Sequence, residues 1–134
     1  MNAPVYSFVL LRLAIGISMF GHGLVRLPKL ARFSSWMTGL YEKSMLPAAL
    51  VTPFSYALPV AEFLVGLLLI SGLFTGKALL GGGVIMLCLL FGTTLIENWE
   101  ALPSQLIHTA FFALLLPYVK EYNGYSLDRL FRLS

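Results

Sequence analysis

Four apolar stretches, each about 17 to 21 residues long, constrain this chain more than any other feature of its sequence. A helix rises about 1.5 Å per residue, so crossing a hydrocarbon layer of about 30 Å takes about 20 residues. The stretches cover residues 5–24, 54–74, 78–96 and 103–119. The third holds no ionisable side chain except the Cys88 thiol, and Pro103 suits the first turn of the fourth. That fourth stretch is the shortest, and its end draws on the interfacial residues Tyr118 and Lys120. The first has no basic leader, carries Arg12 within its apolar run and lacks a small-residue cleavage site. It therefore reads as a retained span and not as a cleaved signal.

Composition agrees with lipid as the main solvent. Of 134 residues, 58% are hydrophobic and only 11% charged, against about a quarter in an ordinary soluble domain. Mean hydropathy is +0.85. A small water-soluble domain leaves much of its surface exposed, and 9 Lys+Arg with 6 Asp+Glu cannot cover it. These values exclude a disordered chain and nucleic-acid binding as the main activity. The basic excess reads as loop charge at a membrane surface. Cys88 is the sole cysteine, so neither an intramolecular disulfide nor a CxxC redox or zinc motif is available.

The expected fold is an all-α integral membrane protein, a four-transmembrane-helix bundle spanning the chain as a single domain. Thr75-Gly76-Lys77 reads as a tight turn, making spans two and three an antiparallel hairpin. Gly16, Gly21 and Gly23 in span one, Gly66 in span two and the Gly81-Gly82-Gly83 run in span three are expected to allow close helix approach. Between spans one and two, Phe33, Trp36, Met37, Leu40 and Tyr41 recur at helical spacing. They predict an amphipathic segment in the headgroup plane, acting as an interfacial anchor or as a lid over a pocket. In the tail, Asn123-Gly124 is a turn signal, Ser126 is placed to cap a short helix, and Asp128 lies in its first turn. Orientation is undetermined by charge: Lys77, Lys120, Arg129 and Arg132 on one side balance Arg26, Lys29, Arg32 and Lys43 on the other.

Setting the loop charges aside leaves two inside the spans, Arg12 and Glu62. Each is costly in hydrocarbon, by at least about 2.5 kcal/mol for Arg on insertion scales. Counted from the ends of their spans, their heights differ by about 6–8 Å, within the reach of a guanidinium stem. A structural ion pair between Arg12 and Glu62 is therefore expected, offsetting part of the cost of burial. His22, near the far end of span one, and His108, a turn into span four, share a level with Glu62. Ser104, Gln105 and His108 make one polar face, while Arg12, Gly16, Met19, Gly23 and Arg26 fall along one face of span one. Arg12, His22, Glu62 and His108 thus predict a polar intramembrane pocket open toward the side opposite the termini. Structural roles for the same residues remain open: a clasp, an interhelical hydrogen bond, a helix end. No HxxxH or ExxH spacing supports a metal site, and nothing beyond the two histidines favours haem.

Arg12 with Gly16, then Gly21-His22-Gly23, Arg26 to Lys29 and Leu46-Pro47, resembles the opening of the DoxX family of small bacterial membrane proteins. The run from Pro59 through Glu62 to Gly72-Leu73-Phe74-Thr75 resembles that family's Glu-centred helix and its Gly-Leu-x-Thr exit, and Ser126-Leu127-Asp128 is similar to its C-terminal element. The likeness covers essentially the whole chain. It implies four spans in the bacterial cytoplasmic membrane with both termini in the cytoplasm. The family takes its name from a subunit linked to thiosulfate:quinone oxidoreductase, and other members accompany membrane redox complexes. Arg12, His22, Lys29 and Glu62 match the family's polar positions, and His108 matches less closely.

Two functions fit these observations. One is a membrane subunit of a respiratory or redox system, binding a quinone in the polar pocket and working with a partner oxidoreductase that supplies the electrons. The other is a non-enzymatic scaffold or carrier of a small lipophile. Lipid is the expected partner in both, with self-association into a homo-oligomer left open.

Overall fold

The computed structural model describes residues 2–133, and among these there is helix but no strand. The helices are α1 (Ala3–Arg26), α2 (Leu30–Leu40), α3 (Ala48–Ser71), α4 (Thr75–Leu95), α5 (Leu102–Leu115), α6 (Val119–Tyr122) and α7 (Leu127–Leu130). Single 3-10 turns at Leu27–Lys29 and Leu116–Tyr118 join α1 to α2 and α5 to α6. Pro28 and Pro117 lie in these turns, where the missing proline N–H interrupts the α ladder without ending the rod. The fourth span therefore continues past residue 119 to Tyr122, about 31 Å from Leu102. Four helical runs are long and apolar enough to cross a membrane: Ala3–Leu40, Ala48–Ser71, Thr75–Leu95 and Leu102–Leu130.

The outer faces are apolar. Leu10, Ile17, Leu64, Leu80, Leu87 and Ile107 are all exposed on the helices. In water such a surface would aggregate; against acyl chains it costs nothing. Inside, Ile15, Met19, Leu69, Leu79, Phe112 and Leu115 form the main core where α1, α3, α4 and α5 meet. A second cluster, Phe33, Met37, Tyr41, Val51 and Leu58, fixes α2 on α3. The Ser34 and Ser55 hydroxyls, both buried, hydrogen-bond at 2.6 Å within this second contact.

The tightest seam lies between antiparallel α1 and α3. A Cβ on Gly23 would sit 2.5 Å from the Phe63 nitrogen, and one on Gly66 would collide with the backbone of Phe20. Gly16 faces Leu69 and Ile70 in the same way. Lipid gives no hydrophobic drive between helices, so association rests on such close dispersion contact. Between α4 and α5 the space beside Gly82 is filled by the Phe112 ring.

The turn between α3 and α4 differs from the sequence expectation. It lies at Gly72-Leu73-Phe74, and Thr75 already opens α4. Gly72, at φ 70°, ends α3 in the left-handed conformation, with its N–H donating to the Leu68 carbonyl. The Asp128 carboxylate accepts the N–H of Phe74 at 2.6 Å and of Thr75 at 2.9 Å, satisfying donors that the start of α4 leaves orphaned. The tail thus supplies the cap for a helix more than fifty residues earlier. Ser126 does cap α7, accepting the Arg129 N–H at 3.3 Å.

The α1–α3 seam predicts unequal glycine sensitivities. Gly66→Val should cost at least about 2 kcal/mol, because neither backbone can retreat, whereas Gly21→Ala, which meets nothing within 4 Å, should be close to neutral. Melting in detergent, with monodispersity on size exclusion, checks both.

Candidate functional site

Arg12 and Glu62 do not meet. The expected ion pair assumed that the ends of spans one and two are flush, and they are not. With Gly16 opposite Leu69 and Ile70, residues 3–11 of α1 project beyond the end of α3. Arg12 consequently lies level with the α3–α4 turn, its Cζ 3.3 Å from where a Gly72 Cβ would be. Glu62 is ten residues away along α3, about 15 Å.

Arg12 is instead held by the tail. Its Nη1 donates to Asn123 Oδ1 at 2.6 Å and to the Gly124 carbonyl at 2.9 Å, and Nη2 donates to the Tyr125 carbonyl at 3.0 Å. Asn123 Nδ2 donates to Thr75 Oγ1 at 3.0 Å and to Asp128 Oδ2 at 3.2 Å. Arg12, Asn123, Thr75 and Asp128 are all buried. This network closes the terminal side of the bundle, balancing the guanidinium with main-chain carbonyls and a carboxylate one residue further on. Except for Arg12 Nε, which is buried without a partner among the described residues, its polar groups are engaged with one another, which makes it a clamp.

Glu62 pairs with Arg26, whose Nη1 lies 3.2 Å from Oε2 and 3.4 Å from Oε1. The contact is long for a charge-assisted bond and uses one guanidinium nitrogen for both oxygens. Glu62 is 3% exposed and the Arg26 side chain 26% exposed. The Arg26 guanidinium also stacks 4.5 Å from the centre of the Phe33 ring on α2, a cation–π contact.

His22 and His108 join this pair around a cavity of about 250 Å³. Their rings meet edge to face, 6.2 Å between centres. His22 Nδ1 lies 2.6 Å from the Ser18 carbonyl and His108 Nδ1 lies 2.7 Å from the Ser104 carbonyl. A carbonyl only accepts, so both Nδ1 atoms carry protons. The neutral His108 then accepts the Ser18 hydroxyl through Nε2 at 2.8 Å. In neutral His22, Nε2 is left as an acceptor at the cavity wall.

Tyr41, Thr93 and Gln105 extend the polar lining. Gln105 Nε2 donates to Thr93 Oγ1 at 2.9 Å, and Gln105 Oε1 is buried without a hydrogen-bond partner among the described residues. Burial pushes the Tyr41 phenol above its usual pKa, an effect partly opposed by Thr93, so the hydroxyl stays protonated at neutral pH. Asn98 and Ser104 add to the polar lining, and the apolar part of the wall includes Met19, Phe33, Trp36, Met37, Leu58 and Met86. Helix α2 supplies Phe33, Trp36 and Met37, so it covers the cavity as a lid.

Of the sequence candidates, His22, Glu62 and His108 therefore gather at one cavity, and Arg12 lies outside it. Arg26 takes the place assigned to Arg12. Its signal was present, since it follows Arg12, Gly16, Met19 and Gly23 on one face of α1. Asn123 and Asp128 were read only as turn and cap, because nothing local shows a side chain bonding fifty or a hundred residues away.

A double-mutant cycle separates the two pairings. Arg26→Met and Glu62→Gln should couple by about 0.5–3 kcal/mol, while Arg12→Met and Glu62→Gln should add to within about 0.5 kcal/mol. Denaturation of the four single and double variants in detergent measures both terms.

A family model described as DoxX matches residues 7–96. The matched stretch contains Arg12, His22, Arg26 and Glu62, while His108 and the tail lie beyond it. Comparison with curated proteins and comparison with solved structures each give no match.

Proposed function

The chain belongs to the DoxX family, and from that premise we propose that it is a membrane subunit of a redox system, binding the head group of a quinone in the cavity beneath α2. The observation that carries the reading is the division of one cavity wall: Arg26, Glu62, His22 and His108 on one part, Phe33, Trp36 and methionines on the rest. A planar ring with two carbonyl oxygens needs this combination, an apolar slot with donors at its edge. At about 250 Å³ the cavity lies just below the roughly 300–1,000 Å³ of drug-sized pockets. It suits a single substituted ring and excludes a long tail.

The residues divide the work by their chemistry. Arg26 is a permanent cation whose remaining N–H groups donate to a carbonyl oxygen. Glu62 and His22 Nε2 are the acceptors on this wall, placed to take the two protons a quinol releases on two-electron oxidation to a quinone, and the same groups return them in the reverse direction. Gln105 Oε1, which has no hydrogen-bond partner among the described residues, accepts from a quinol hydroxyl. His108 positions the group by holding Ser18 and stacking edge-on against His22. The electrons come from a partner oxidoreductase, since the sequence carries no flavin, haem or iron–sulfur motif. Within this reading the membrane is the bacterial inner membrane, with both termini cytoplasmic and the cavity toward the opposite face.

The second reading, a non-enzymatic carrier of small lipophiles, rests on the capture of both Arg12 terminal nitrogens by the tail, which removes one of the charges a catalytic pocket would use.

Trp36 lines the cavity and Trp99 does not, so fluorescence of a Trp99→Phe protein reports occupancy. A tailless benzoquinone should quench Trp36 saturably. Arg26→Met should weaken that binding about tenfold, the worth of a hydrogen bond from a charged group, His22→Ala should instead weaken binding of the corresponding quinol, whose hydroxyl can donate to Nε2, and Gly21→Ala should leave both unchanged. Absence of saturable quenching, or equal affinity in all four proteins, sinks the quinone reading.

A further inference from the structure

A second cavity adjoins the first. It measures about 310 Å³ and is lined by the ends of α3 and α4 and the loop before α3, including Leu46, Leu50, Phe54, Cys88 and Phe91. Leu50 is 62% exposed and Phe91 61% exposed, so this crevice opens on the lipid-facing surface of the bundle. The two cavities share Met37, Tyr41 and Leu89 as lining residues. One layer of side chains therefore separates the polar chamber from the bilayer.

That layer can move. Met37 is unbranched and has three rotatable side-chain bonds. Tyr41 follows the last residue of α2, and its hydroxyl occupies the space that a Cβ on Gly92 would fill. The gate thus combines a flexible thioether with a ring whose hydroxyl rests on a residue without a side chain. The crevice lining offers no charged group, so it provides nothing to hold a polar ligand. An alkyl or isoprenoid chain, indifferent between acyl chains and Leu, Phe and Met side chains, passes through it at no hydrophobic cost.

The geometry points to a lateral portal: the ligand of the polar cavity is a long-tailed membrane lipophile that enters from the bilayer between α3 and α4, leaving its tail in the crevice beside Cys88. This rests on the quinone reading and deepens it by specifying the tail and the route. The tail gains little affinity, because lipid solvates it equally well outside; what the crevice supplies is passage and orientation, with the head turned toward Arg26 and Glu62.

Cys88 is exposed and is the only cysteine, so it reports on the crevice without engineering. The Trp99→Phe protein in lipid nanodiscs is incubated with a benzoquinone bearing a ten-carbon tail or with its tailless analogue, each brought to the same Trp36 quenching. Alkylation of Cys88 by a small maleimide is then timed. The tailed compound should slow alkylation at least about fivefold and the tailless one should not, since only a chain lying in the crevice shields the thiol. A Cys88→Phe variant, which fills the crevice from an exposed position, should slow occupancy by the tailed compound severalfold while tailless binding stays at the wild-type rate. Equal quenching with Cys88 alkylated at the unliganded rate would overturn the portal and leave the head-group site standing. Failure of either compound to quench Trp36 would remove the head-group site, and the portal with it.

Discussion

Backbone contact between α1 and α3 at Gly23 and Gly66 sets the register on which the other interactions depend. Because the two helices touch without intervening side chains, neither can slide by a turn without forcing a Cβ through a main chain. In this register Arg26 falls beside Glu62, and α2 leaves α1 at a height where Ser34 meets Ser55. The same register carries Arg12 past the end of α3, where its partners are main-chain carbonyls and the Asn123 side chain of the tail. A change of one helical turn would exchange these partners.

The two ends of the bundle solve the problem of polar groups in lipid differently. At the terminal end Arg12, Asn123, Thr75 and Asp128 exchange hydrogen bonds, and the tail is drawn in to cap α4. Apart from Arg12 Nε, which is buried without a partner among the described residues, these groups hold one another, and each group held in place fixes the next. At the other end Glu62 has one long contact, His22 has a free ring nitrogen and Gln105 Oε1 has no partner among the described residues. Leftover capacity beside a cavity is what a ligand or water uses. The contrast also divides the buried charges: Arg12 is held by the tail, and Glu62 faces the cavity.

Helix α2 connects these features to the bilayer. It is too short to cross a membrane at 11 residues, yet it is anchored through Phe33, Met37 and Tyr41 to the same core that walls the cavity. Its amphipathic spacing was visible in the sequence, but that spacing suits an interfacial anchor and a lid equally. The choice followed from Ser34 meeting Ser55, a pairing of two small polar residues 21 positions apart that no periodicity reveals.

Hydropathy and residue type alone determined that this chain is a bundle of four membrane-crossing helices, because segment length against bilayer thickness and the need to satisfy backbone groups in lipid leave one architecture. They also determined that the few polar residues within the spans would have to find partners inside the protein, and that glycines would mark close helix contacts, as Gly16, Gly23 and Gly66 do and Gly21, facing open space, does not. Which partner each charge takes was decided only in three dimensions. Helical periodicity gives a residue its face and its depth along its own helix, but not the axial offset between two helices; packing of Gly23 and Gly66 supplies that offset, and with it the exchange of Arg12 for Arg26 at Glu62.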